Sequence, residues 1–115
     1  MSPDQWPRRV RDIIDAIDEI SSFVRGLNFE SFRADRRTVK AVLADLSIIG
    51  EAARQIPDAI KSSHLSIPWR SMVDIRNVVV HTYFRIDEKI IWETITDDFP
   101  TLRRQLWLLI EAPPP

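Results

Sequence analysis

The chain has 115 residues, 44% of them hydrophobic and 29% charged, with a formal net charge of −1. That length suits one domain with its own core, and the mix of apolar and charged residues excludes a disordered chain. The lack of cysteine excludes disulfides, thiolate metal sites and a cysteine nucleophile, and the near-neutral charge argues against a generic nucleic-acid coat protein while leaving room for a local basic patch. Arginine outnumbers lysine thirteen to three, and its planar, bidentate guanidinium is the better phosphate clamp. No apolar run reaches the length of a membrane span, and the N-terminus lacks the layout of a signal peptide. A cytoplasmic protein without membrane contact is expected. Only two glycines occur and no alternating strand pattern is visible, which points to an all-α fold.

Ser2-Pro3-Asp4 can cap a first helix, with Pro3 or Pro7 in its first turn. Its apolar stripe is Trp6, Val10, Ile13, Ile14, Ile17, Ile20 and Val24, and Gly26 is its expected stop. Residues 28–33 read as a short linking helical turn that tucks in Phe29 and Phe32. Asp35 looks like the cap of a helix running to about Gln55, with a stripe from Val39 to Ile56. Gly50, Ala52 and Ala53 would let another helix approach this one closely. Gly50 costs about 1 kcal/mol of helix propensity against alanine, so close packing is the expected reason for it. Glu51 reads either as a solvent-facing charge or as a helper that orients a neighbouring arginine.

Pro57-Asp58 opens a short helix ending near His64, a helix-end residue. Ser66 is the expected cap of the next helix, with Pro68 in its first turn. Asp87 is expected to cap a further helix with Ile90, Ile91, Trp92 and Ile95 inward. Residues 96–100, Thr-Asp-Asp-Phe-Pro, read as a break and restart, with the two acids as caps rather than a metal pair. Leu102, Leu106, Leu109 and Ile110 finish the core, and Trp107 and Leu108 widen its apolar band. Residues 1–112 form the expected single domain and 113–115 a disordered tail.

The stretch Arg76-Asn77-Val78-Val79-Val80-His81-Thr82-Tyr83 stands apart. Three valines want burial, so the polar side chains around them are carried at the edge of a core, where packing can hold them for chemistry. On a regular helix Arg76 and Tyr83 fall within roughly 20° of each other, whereas Arg76 and His81 differ by about 140°. Arg76 and His81 therefore converge on one ligand only if the helix ends near His81 or if a second copy completes the site. Both are expected.

Several strings together carry a family resemblance: the acidic-basic first helix, Ile48-Ile49-Gly50-Glu51-Ala52, Ile67-Pro68-Trp69-Arg70, the spacing of Arg76, His81 and Tyr83, and Asp87 with Trp92 and Asp97-Asp98-Phe99-Pro100. Across nearly its whole length the chain resembles the HEPN superfamily, specifically the HepT-like toxins paired with a small nucleotidyltransferase of the MNT type. Thr82 stands where that family more often has glycine, and Asp74 where it commonly has a small residue. The resemblance implies an up-and-down, HEPN-like bundle of four to five main helices plus short linking helices. It further implies a homodimeric, metal-independent endoribonuclease without cofactor, the toxin of a toxin–antitoxin pair.

In that reading Arg76 clamps the phosphate, His81 does the proton work and Asn77 orients one or the other. Cleaving RNA without a metal needs a base for the 2′-hydroxyl proton, an acid for the leaving oxygen and positive charge on the phosphate, and histidine titrates in the right range. The resemblance also implies that the nucleotidyltransferase silences the toxin by adding AMP to Tyr83, placing an anion beside Arg76. The competing reading is a non-catalytic module that docks a nucleotidyltransferase, motivated by Thr82, Asp74 and the net charge. A plain helical dimerisation domain is the third.

Overall fold

The structure, a computed structural model, describes residues 5–85 and 87–111, with the side chains of Val78 and of residues 80–85 left out of the description. Helix α1 spans Trp6–Phe23, α2 Phe29–Ala34, α3 Arg36–Arg54, α4 Asp58–Ser63, α5 Trp69–Arg85, α6 Glu88–Glu93 and α7 Phe99–Glu111. A π-helical turn, Thr94–Asp98, joins α6 to α7. The result is all-α: long helices α1, α3, α5 and the α6–α7 run, linked by the short α2 and α4, as expected. α3 is central, packing along α1 on one flank and α5 on the other, while α7 lies against α1. Among the described residues no helix is long and apolar enough to cross a membrane.

The apolar stripes meet as read. Val10, Ile13, Ile17 and Ile20 of α1 interlock with Val39, Val42, Leu46 and Ile49 of α3, steps of three and four that put each set on one face. α1 starts with Gln5 in the cap position and Pro7 in its first turn; Ser2 to Asp4 lie outside the described residues. Gly26 adopts φ +80 after α1, the left-handed turn it was expected to supply. Asp35 caps α3 by accepting from the Thr38 amide at 3.2 Å and its hydroxyl at 2.7 Å, and those bonds hold its carboxyl below the usual range.

Five local expectations need correction. The cap position of α5 belongs to Pro68, not Ser66: the Met72 amide donates to the Pro68 carbonyl at 3.1 Å, while the Ser66 carbonyl accepts from the Gln105 side chain at 3.0 Å. Only Phe32 is buried in α2; Phe29 stays half-exposed. Phe32 packs on Trp92 with ring centroids 5.1 Å apart. Ile90 points outward, 47% exposed, because Ile91 and Ile95 fill the inward face of the helix. Asp87 occupies the cap position of α6 without a side-chain cap bond; the neighbouring Glu88 is buried instead and pairs with Arg36 at 3.1 Å, tying the start of α6 to α3.

The fifth correction concerns residues 94–98. No break occurs. The helix widens, so that the Phe99 amide donates to the Thr94 carbonyl five residues back. Pro100 has no amide hydrogen, and in a regular α-helix its ring would press on the carbonyl four residues earlier. The wider turn lets the helix continue through it. Thr94 and Thr96 each turn a hydroxyl back to a carbonyl four residues earlier, at 2.8 Å.

One core position breaks the apolar pattern. Asp45 of α3 is 4% exposed, and its Oδ2 has no hydrogen-bond partner among the described residues. It faces Glu19 of α1. Burial, then the Glu19 carboxyl, push the Asp45 carboxyl up to about 7.

Candidate active site

α5 is positioned by what its apolar face buries. Trp69, Met72, Ile75 and Val79 are all buried, and the Trp69 indole donates to the His64 carbonyl at 3.1 Å, closing the α4–α5 loop. Trp69 is therefore a packing anchor, and His64 is the helix-end residue it was expected to be, with Nδ1 3.1 Å from the Ile60 carbonyl. Arg76 and Asn77 are exposed, Arg76 at the edge where α5 meets α3 and Asn77 a further 100° round the helix.

Gly50 sets the height of that exposed turn. A Cβ placed on Gly50 would lie 3.4 Å from the Met72 carbonyl oxygen, 3.5 Å from the Arg76 nitrogen and 3.7 Å from the Arg76 Cβ. The α3 backbone thus sits directly against the turn that presents Arg76, which is the close approach foreseen for Gly50. Beside it, Glu51 accepts from Arg54 Nη2 at 2.6 Å and Nε at 3.1 Å, and from the Gln55 amide at 3.2 Å. Those bonds, with the positive charges of Arg54 and Arg76, hold the Glu51 carboxyl down at about 2. Glu51 is therefore a solvent-facing charge, the first of its two expected readings, paired on the surface with Arg54. Sequence reasoning passed over Arg54; the spacing of three from Glu51 on one helix was the available signal.

The remaining expected site residues divide. His81 and Tyr83 fall within α5 by backbone, while their side chains lie outside the described residues. α5 does not end near His81: four more helical residues follow, to Arg85. No glycine or proline interrupts residues 69–85, and buried Val79 anchors the run. On this straight helix Arg76 and Tyr83 share a face and Arg76 and His81 do not. Asp74 and Arg76 are about 200° apart by the same geometry, and no ion pair joins them.

Arg76 lies outside the concavities described near it. One of about 700 Å³ lies between α4 and the start of α5, lined by Lys61, Leu65, Arg70 and Asp74 among others. Arg76 is exposed at the surface near Glu51, whose carboxyl its charge helps to hold down. Among the described residues no three His, Asp or Glu side chains gather closely enough to hold a metal ion.

A family model described as "Ribonuclease HepT-like" matches residues 13–108. The chain is 42% identical over 94 residues, 82% of this chain and 86% of the relative, to a Thermococcus cleftensis protein named "Probable ribonuclease HepT". A Caldanaerobacter subterraneus protein named as a "Putative RNase" is 36% identical over 83 residues, 72% of this chain and 74% of its own. Another so named, from Methanocaldococcus jannaschii, is 30% identical over 95 residues, 83% and 87% of the two chains. No solved structure gives a match.

Proposed function

The chain belongs to the HepT-like ribonuclease family, and from that premise we propose that it is a metal-independent endoribonuclease acting as a homodimer, the toxin of a toxin–antitoxin pair. The observation that carries the reading is the exposed Arg76–Asn77 turn of α5, held at fixed height by Gly50. Arg76 clamps the scissile phosphate and offsets the charge that builds on it. His81 moves the proton between the 2′-hydroxyl and the leaving oxygen. The 140° between the two on one helix is overcome by a second copy, whose own Arg76 and His81 face the first pair. Asn77 orients the imidazole or the phosphate.

Tyr83 lies on the Arg76 face of α5 by helical geometry. In this reading a nucleotidyltransferase antitoxin adds AMP to its hydroxyl, and the new anion neutralises Arg76. Incubation of the purified chain with tRNA or mRNA in EDTA is expected to give cleavage that falls at least 100-fold in Arg76→Ala and in His81→Ala. Equal cleavage by wild type and both variants overturns the assignment. Co-expression with a nucleotidyltransferase encoded beside it is expected to raise the intact mass by AMP units, and Tyr83→Phe to abolish that gain.

A further inference from the structure

The concavity of about 700 Å³ between α4 and the start of α5 has no part in the chemistry proposed above. Its α5 wall includes Arg70, Val73 and Asp74. At about 100° per residue, Asp74 lies roughly 40° from Arg70 around the helix, Asn77 about 20° to one side and position 81 about 20° to the other. Arg70, Asp74, Asn77 and His81 therefore share one stripe of α5 by register. Buried Met72, Ile75 and Val79 lie roughly 140–200° from Arg70, so the stripe looks away from α3. At 1.5 Å per residue, Arg70 stands roughly 10 Å from Asn77 along the axis. The hollow thus opens on the line of α5 that carries the residue proposed to move the proton.

The lining has three kinds of surface. Lys61 of α4 and Arg70 of α5 supply positive charge, and among the described residues neither makes an ion pair. Leu65, 83% exposed, and half-buried Val73 supply an apolar wall. Asp74, exposed on the same stripe, is an acceptor. A simple anion would leave the apolar wall uncovered and would meet the Asp74 carboxylate. An apolar ligand would leave both cations without an acceptor. A nucleotide answers all three surfaces, with a phosphate, a flat face and an amino group on the base.

We propose that this hollow seats one nucleotide of the RNA, a short way along the strand from the cut. Lys61 and Arg70 hold its phosphate, Leu65 and Val73 bed the face of its base, and Asp74 accepts from the base's amino group, as carboxylates do from cytosine N4. Adenine, cytosine and guanine carry such a group and uracil does not, so Asp74 sets a preference against uracil at that nucleotide. Roughly three stacked nucleotides, at about 3.4 Å each, cover the distance from Arg70 to Asn77. Lys61 and Arg70 are positioning residues and Asp74 a specificity residue. The inference rests on the ribonuclease reading and adds how the strand is gripped and read away from the scissile phosphate.

Two measurements on the full chain test it. In the first, fluorescence anisotropy follows binding of a fully 2′-O-methylated strand of about twelve nucleotides, which cannot be cut. Arg70→Glu and Lys61→Glu are each expected to weaken binding at least tenfold, Arg70→Lys only a few-fold. Arg33→Glu on α2, which packs on α3 and α6 away from the hollow, is expected to change it less than about twofold. In the second, an all-uracil strand with a single central 2′-hydroxyl fixes the cut, and one cytosine is walked along it. Wild type is expected to show one position, a few nucleotides from the cut, where cytosine raises kcat/KM at least fivefold. Asp74→Ala is expected to erase that peak, and Arg70→Glu to raise KM at least tenfold while kcat moves less than about threefold. Circular dichroism equal to wild type verifies the fold of each variant. Binding unchanged by both reversals, or weakened as much by Arg33→Glu, overturns the hollow as an RNA seat. A cytosine peak that survives in Asp74→Ala overturns the reading of the base. A wild type that binds the strand through Lys61 and Arg70 but cuts neither it nor tRNA overturns the ribonuclease reading and leaves the RNA seat standing.

Discussion

Gly50 lies where α3 meets the turn of α5 that carries Arg76. A methyl group there would make contacts of 3.4–3.7 Å, ordinary van der Waals distances, so Gly50→Ala is expected to be tolerated and to gain up to roughly 1 kcal/mol of helix propensity. Gly50→Val has nowhere to put its extra carbons but against the α5 backbone. It is expected to cost about 1–3 kcal/mol and to lower RNA cleavage more than tenfold even at temperatures where the protein stays folded. Thermal melts read beside single-turnover cleavage separate the two effects. Asp45 gives a residue-scale prediction of another kind. Its carboxyl keeps a proton up to about pH 7 in the folded chain but loses it near 3.8 when exposed. Its favourable contribution is thus complete below pH 4 and drains away as pH rises through 7. Asp45→Asn is expected to flatten that decline and to be more stable at pH 8 by an amount on the order of 1–3 kcal/mol. Denaturant midpoints measured from pH 4 to 8 check it.

Among the elements, α5 was the most legible and α6 the least. The buried series from Trp69 to Val79 follows a helical period that could be read directly, and so could the role of Gly50. The start of α5 was misread because Ser66 has the chemistry of a cap, whereas the first intrahelical bond goes to Pro68. At α6 a similar preference for a known cap, Asp87, hid Glu88, whose partner Arg36 lies 52 positions away and leaves no local trace. Glu88 is nearly buried, so removing it strips Arg36 of its acceptor. Glu88→Ala is expected to cost about 1–3 kcal/mol, and Arg36→Ala more, because it strands a buried carboxylate. Urea denaturation of the two single variants and the double variant gives the coupling. Asp18 with Arg103, at 2.6 and 3.0 Å, is the exposed counterpart between α1 and α7. Its loss is expected to stay under about 1 kcal/mol.

At the scale of the whole molecule, α3 is wedged between α1 and α5, the helix that carries Arg76. The helical class, the central seam and the motif helix were legible because each rests on local periodicity. The meeting of Glu19 and Asp45 was not, since it depends on which residues of two antiparallel helices come level. The π-helical turn was not legible either, because a proline preceded by two acids signals an ending far more often than a widening. That turn has a further consequence for which insertions and deletions the chain tolerates. It holds one surplus residue, so Ile91 before it and Leu102 and Leu106 after it look toward the same interior. Excising Thr96 together with Pro100→Ala would leave an uninterrupted spiral with both halves still in phase, whereas excising any residue between Leu102 and Leu106 would swivel everything downstream by about 100° and send Leu106 into water.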